Sequence, residues 1–178
     1  MKKAFKILVL LISISSFSQN KSENEVFKKI VGHEIEKNKS AFYIECKKPQ
    51  TSFNIKEFKI ENEGFVISET ILNEFEKNNI NTNEVWNSEL MKQLEFNSSH
   101  IINTNCLTQE ETEAIFKDTN KRQNIISISK PIFDNNFENC IVSTISSHSF
   151  QNSSGKSYFL KNVNGIWTIV MEFNYWIS

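Results

Sequence analysis

Three observations predict an α+β fold, with helices in the N-terminal half packed on a C-terminal antiparallel β-meander. Before residue 120 the apolar residues recur at helical spacing behind two capping boxes, Ser22-Glu23-Asn24-Glu25 and Thr108-Gln109-Glu110-Glu111. From Ile125 onward the pattern changes to short β-branched and aromatic runs separated by polar turns. Within that second half lies Asn164-Gly165, whose two residues tolerate the positive φ angles of a type I′ hairpin turn. With 178 residues and no linker, repeat or low-complexity tract, residues 19–178 form one domain, long enough to bury a core.

The elements follow in order. After the first capping box, Val26, Phe27, Ile30, Val31 and Ile35 mark one face of a helix reaching about Lys37. Residues 41–46 are short, aromatic and closed by Pro49, which predicts a strand. Residues 51–60 place Phe53, Ile55, Phe58 and Ile60 at neither period and are left unassigned. Ser68 can cap a helix through Phe75, and residues 84–94 offer Val85, Trp86, Leu90, Met91 and Leu94 to the core from another. The second capping box opens a helix to about Lys117, and residues 118–124 form a loop.

Strands are then expected at residues 125–129, 140–147, 157–161 and 166–177. A two-residue turn at Asn164-Gly165 sets the register of the last pair: Val163 faces Ile166, Lys161 faces Thr168, Phe159 faces Val170 and Ser157 faces Glu172. Leu160 with Ile169 and Tyr158 with Met171 fall on the opposite face. Trp167, Ile169, Met171, Phe173, Tyr175 and Ile177 alternate along the last strand, so that side is the expected core face under the helices.

Residues 1–18 have the order of a secretory signal peptide: three lysines in the first six residues, an apolar run from Ile7 to Ile14, and small residues Ser16 and Ser18 before the expected cleavage. The run falls short of the roughly 20 residues needed to span a bilayer, so no stable membrane insertion is expected after cleavage. The expected localisation is periplasmic or secreted. Cleavage leaves 17 basic against 21 acidic residues, a net charge of -4. Arg122 is the one arginine, which argues against a nucleic-acid partner.

Scarcity excludes further classes. The glycines are Gly32, Gly64, Gly155 and Gly165, so no glycine-rich phosphate loop can be written, and with Asp118 and Asp134 as the only aspartates an EF-hand loop is impossible. Cys46, Cys106 and Cys140 are 60 and 34 residues apart, too far for a C-x-x-C motif. Either one pair forms a disulfide in an oxidising compartment, or all three are small buried hydrophobes. His33-Glu34 begins like a zincin helix, but Lys37 stands where the second histidine must, so this segment is expected to be a solvated helix face. No metal site and no cofactor are expected.

One catalytic constellation survives: the hairpin register puts Ser157 beside Glu172, and a second hairpin at residues 151–155 would bring His148 to the same face. A hydroxyl, an imidazole and a carboxylate in a row are the groups of nucleophilic hydrolysis. The bland explanation is a polar row on a solvated sheet face. That face also carries Phe159, Ile166, Val170 and Trp176, so it is either partly covered by the N-terminal half or forms a contact surface, with Trp176 and Phe159 as binding residues.

Ser129-Lys130-Pro131-Ile132-Phe133, the segment 160–167 reading L-K-N-V-N-G-I-W, and the closing Trp176-Ile177-Ser178 resemble the C-terminal pattern of small, functionally uncharacterised exported proteins of Bacteroidetes-type bacteria, S-x-P-x-F, L-x-K-x-x-G-x-W and W-x-S. The second segment has one extra residue relative to that pattern. The resemblance implies export and brings no catalytic residues with it. The final G-x-W-x-I hairpin is also similar to the last strands of NTF2-like α+β cones. The resulting expectation is an exported module that binds a small molecule or an envelope protein rather than an enzyme; the alternative is a small hydrolase using Ser157, His148 and Glu172.

Overall fold

The computed structural model describes residues 2–38, 40–93, 100–102, 105–119, 123–149 and 152–178, with side chains from Gln19 onward except at residues 88, 93 and 119. The expected cleavage-site side chains Ser16 and Ser18, the helical position Leu94, Arg122 and Gln151 therefore lie outside the described residues or side chains.

The chain runs α1 (Lys2–Lys37), β1 (Tyr43–Ile44), α2 (Ile55–Glu61), α3 (Glu69–Asn78), α4 (Ser88–Gln93), α5 (Gln109–Thr119), β2 (Ile125–Ile128), β3 (Ile132–Phe133), β4 (Asn139–Ser149), β5 (Asn152–Val163) and β6 (Ile166–Ile177). This is an α+β fold, with a helical N-terminal half and a sheet ordered β1-β2-β4-β5-β6, β3 pairing with β4. Strands β4 to β6 form the antiparallel meander, while β1 joins β2 in parallel across the crossover that carries α2 to α5. Among the described residues no helix is long and apolar enough to cross a membrane.

Local chemistry accounts for the element ends. The Thr108 capping box is made in full: Thr108 Oγ1 accepts from the Glu111 amide at 3.2 Å, and Glu111 accepts from the Thr108 amide at 2.8 Å. Ser68 caps α3 through the Ile71 amide. The unassigned segment holds α2, because Asn54 accepts from the amides of Lys56 and Glu57, while Ile60 points to solvent and breaks the apolar pattern. Ser22 is inside α1, since the helix continues upstream of the first capping box. Helix α4 starts later than expected: the Trp86 amide donates to Cys46 and the Lys48 amide to Glu84, so residues 84–86 lie extended beside residues 46–48. Cys46 and Cys106 form a disulfide that fastens this region, and Cys140 is a buried free thiol.

The helices cover both faces of the sheet rather than the single face expected. On one face, Val26, Phe27, Ile30 and Val31 of α1, with Trp86, Leu90 and Met91, pack on Ile126, Val142, Tyr158, Leu160 and Trp167. On the other, Phe58 of α2 and Leu72 and Phe75 of α3 pack on Ile141, Phe159 and Phe173. Alternation along β4 and β5 serves both cores at once.

Strand β6 divides between them through two register shifts. Asn164 and Gly165 have φ of 54° and 83°, and the pairs Val163 with Ile166, Lys161 with Thr168 and Leu160 with Ile169 form as expected. Beyond these a bulge at Val170 sets Phe159 opposite Met171, Tyr158 opposite Glu172 and Ser157 opposite Phe173. One extra residue exchanges the faces of everything after it. Trp167 and Ile169 therefore belong to the α1 core and Met171 and Phe173 to the other, while Tyr175 and Ile177 are exposed. A second shift follows at Asn174, where φ is 53° and Trp176 becomes the partner of Gly155.

Candidate functional site

The helical period puts His33 and Lys37 of α1 one turn apart on the same side, with Glu34 between them facing the sheet. Opposite them, β5 presents Lys156 and Tyr158, and the Val170 bulge turns Glu172 of β6 onto this same side. Glu34 is 3% exposed. Its Oε1 accepts from the Tyr158 hydroxyl and lies 3.1 Å from Lys156 Nζ, and its Oε2 accepts from Asn38 Nδ2 at 3.0 Å. Glu172 Oε1 accepts from His33 Nε2 at 3.0 Å and from Lys37 Nζ, and its Oε2 accepts from the Tyr175 hydroxyl at 2.6 Å. Lys156 Nζ is 3.9 Å from that second oxygen, so one ammonium links the two carboxylates.

Partners outweigh desolvation at Glu172. Burial opposes its ionisation, yet the hydrogen bonds from Lys37, Tyr175 and His33 and the charge of Lys156 pull its carboxyl down from 4.5 to about 2. Burial and the bond to Glu172 raise the Tyr175 phenol to about 12. Burial, then the Glu34 carboxylate, hold the Tyr158 phenol well above the usual range. Both phenols thus remain donors, and the two lysines balance the two carboxylates. Such a saturated cluster locks α1 to the sheet.

A cleft of about 630 Å³ opens beside this cluster, within the range of small-molecule sites. Its floor consists of the cross-strand pairs Ser146 with Ser154 and Thr144 with Lys156, and its wall carries His148, Tyr175 and Trp176. His148 Nδ1 donates to the Gln123 carbonyl at 3.2 Å. Gly155 has no Cβ for a physical reason: one there would overlap the indole of Trp176.

The Ser157, His148 and Glu172 row is not formed. Ser157 is completely buried on the α2 side, hydrogen-bonded to Ser143 Oγ at 2.8 Å and donating to the Ser52 carbonyl at 3.1 Å. His148 is five residues along β4 from Ser143, the cross-strand partner of Ser157, hence about 16 Å away at strand rise. Glu172 faces Tyr158 on the other side of the sheet. The Val170 bulge turns Glu172 away from Ser157, and the β4–β5 turn falls between Ser149 and Asn152 rather than at residues 151–155, so that Ser157 meets Ser143 instead of His148. Phe159 is also removed as a binding residue: it is 0% exposed among Phe58, Phe65 and Phe75. Trp176 is half-buried at the cleft's margin, but its indole covers the Cβ side of Gly155, the face of the sheet opposite Ser154 and Lys156.

The site residues missed from sequence are His33, Glu34, Lys37 and Lys156. The segment around His33 was expected to be solvated, but Glu34 is among the most buried charged groups described. The available signal was the helical phase: Glu34 follows Val26, Ile30 and Val31 around the buried face. Among the described residues no group of three or more His, Cys, Asp or Glu side chains is placed to hold a metal ion. The site thus defines an α+β protein with a polar, aromatic-walled cleft at one end of its sheet. Comparison with family models, with curated proteins and with solved structures finds no match.

Proposed function

We propose that this chain is an exported binding module, periplasmic or secreted, whose ligand occupies the cleft between α1 and the β4–β6 meander. The observation that carries this reading is the cleft itself, a concave site of about 630 Å³ beside a carboxylate-lysine cluster whose charges are satisfied internally. A nucleophilic enzyme needs an activated hydroxyl in a concave site, whereas Ser157 is fully buried and bonded to Ser143 and the Ser52 carbonyl. Export is supported by the basic and apolar order of residues 1–18 and by the Cys46–Cys106 disulfide, a bond favoured in oxidising compartments.

The test is expression with the N-terminal segment intact in a bacterial host, followed by N-terminal sequencing and native mass spectrometry of the exported fraction. The expected protein begins at Gln19 and carries a bound small molecule that Ser154→Trp, which fills the cleft floor, releases. An uncut chain retained in the cytoplasm overturns the export proposal, and a ligand unaffected by Ser154→Trp overturns the cleft proposal.

A further inference from the structure

On the face of the sheet that carries Phe159, helices α2 and α3 cover one end, and a second cleft of about 410 Å³ lies toward the other, under α5. Strand register sets its floor. Ser127 pairs with Ile145 and Ile125 with Ser147, while Ile126, between Ile125 and Ser127, packs on the α1 side, so these four side chains share the face opposite α1. The roof is one side of α5, where Gln109, Thr112, Glu113 and Phe116 recur at helical spacing. Ile125, Ile145 and Phe116 supply the apolar part of the lining.

The rim carries charges of both signs that the fold leaves unpaired. Glu45 and Lys47 follow β1 two residues apart and both line this cleft, yet neither forms an ion pair with a described residue. One Glu45 oxygen accepts from the Ser127 hydroxyl, which holds the carboxylate toward the floor and leaves its other oxygen unused. Glu113, by contrast, is already bonded to Lys117 and Gln109. On α5 the Thr112 hydroxyl is buried with no partner among the described residues, and a buried hydroxyl left unpaired is costly.

A purely anionic ligand would meet the Glu45 carboxylate, and a purely cationic one the Lys47 ammonium, each a like-charge contact. A zwitterion answers both. Residues two apart on an extended chain are separated by roughly 6–7 Å, a span that an ammonium and a carboxylate carried on one carbon can bridge with charge-assisted hydrogen bonds. The isoleucine floor then takes an apolar group on the same carbon.

We propose that the cleft under α5 binds a free α-amino acid with an apolar side chain. The ammonium donates to Glu45, the carboxylate accepts from Lys47 and Thr112, and the side chain lies among Ile125, Ile145 and Phe116. The sheet separates this site from the α1 cleft, so each stands or falls alone.

The experiment is isothermal titration of the purified protein with L-leucine, L-phenylalanine, L-leucinamide, N-acetyl-L-leucine and glycine, repeated with Glu45→Gln, Lys47→Met and, in the α1 cleft, Ser154→Trp. Circular dichroism of each variant checks that it is folded. Leucine or phenylalanine is expected to bind at least about ten-fold more tightly than the other three compounds, to weaken about ten-fold in Glu45→Gln and in Lys47→Met, and to change less than about two-fold in Ser154→Trp. Leucinamide or N-acetylleucine binding as tightly as leucine overturns the zwitterion, and glycine binding as tightly overturns the apolar contact. Amino-acid binding indifferent to both Glu45→Gln and Lys47→Met, or lost in a folded Ser154→Trp, overturns the α5 cleft as its site. Failure of both leucine and phenylalanine to bind overturns the proposal and leaves the α1 cleft to its own test.

Discussion

On the α2 and α3 side of the sheet, Phe58, Phe75, Phe159 and Phe173 meet largely edge to face, with centroids 5.0–6.5 Å apart where they touch. On the α1 side, Val26, Phe27, Ile30 and Tyr158 form an apolar core that gives way, toward one end, to Glu34, Lys156, Glu172 and the cleft. The two sides do different work with the same strands. The phenylalanine side is non-directional packing, which holds the meander whatever the protonation state. The α1 side spends part of its contact area on directional, charge-assisted bonds, which fix where α1 sits and leave a polar opening beside it. Stability and site are thereby separated across a single sheet.

Three substitutions test that separation. The largest effect is expected for Phe159→Ala, which opens a cavity among Phe58, Phe65 and Phe75 and should cost about 4 kcal/mol, equally at pH 3 and pH 7, by urea denaturation. A strong pH dependence of this loss would mean that the two sides are not independent.

Next comes Glu172→Gln. The Glu172 pKa is depressed in the fold, so its stabilisation is complete above about pH 4.5 and fades as pH falls toward about 2. The shift corresponds to about 3 kcal/mol. The variant should therefore be less stable than the parent by about that amount at pH 7, with the gap closing below pH 3. A constant gap across this range contradicts the ion-paired assignment.

The smallest effect is expected for Ser157→Ala, which removes one buried hydroxyl from the chain joining Ser143 to the Ser52 carbonyl and should cost about 1 kcal/mol. Ligand binding at the cleft should be unchanged, because Ser157 lies on the opposite face. A binding defect with intact stability would return Ser157 to the site.

The legible parts were those whose cause is local. The Thr108 box and the Ser68 cap are made by residues three apart, and Asn164-Gly165 sets the first pairs of its hairpin through its own φ preferences. What escaped was the bulge at Val170, which turns Glu172 to the other face, and the covering of Ser157 and Phe159 from the α2 and α3 side. Val170 is an ordinary β-branched residue in a strand, and nothing in its neighbours marks an extra residue in the ladder. Lys37 was equally misleading, because its displacement of a histidine excluded zinc and drew attention away from the buried carboxylate beside it.

By itself the sequence determined the class of fold, the order of helices before strands, the Ser68 and Thr108 helix caps, the hairpin turn and the exclusion of glycine-rich phosphate loops. Each of these follows from residues within one turn or one strand of each other. Only the tertiary structure decided that both faces are covered, that Cys46 is joined to Cys106, and that His33, Lys37, Lys156 and Glu172 converge. These depend on register and on contacts between residues up to 139 positions apart, where the shift of a single residue exchanges core for cleft.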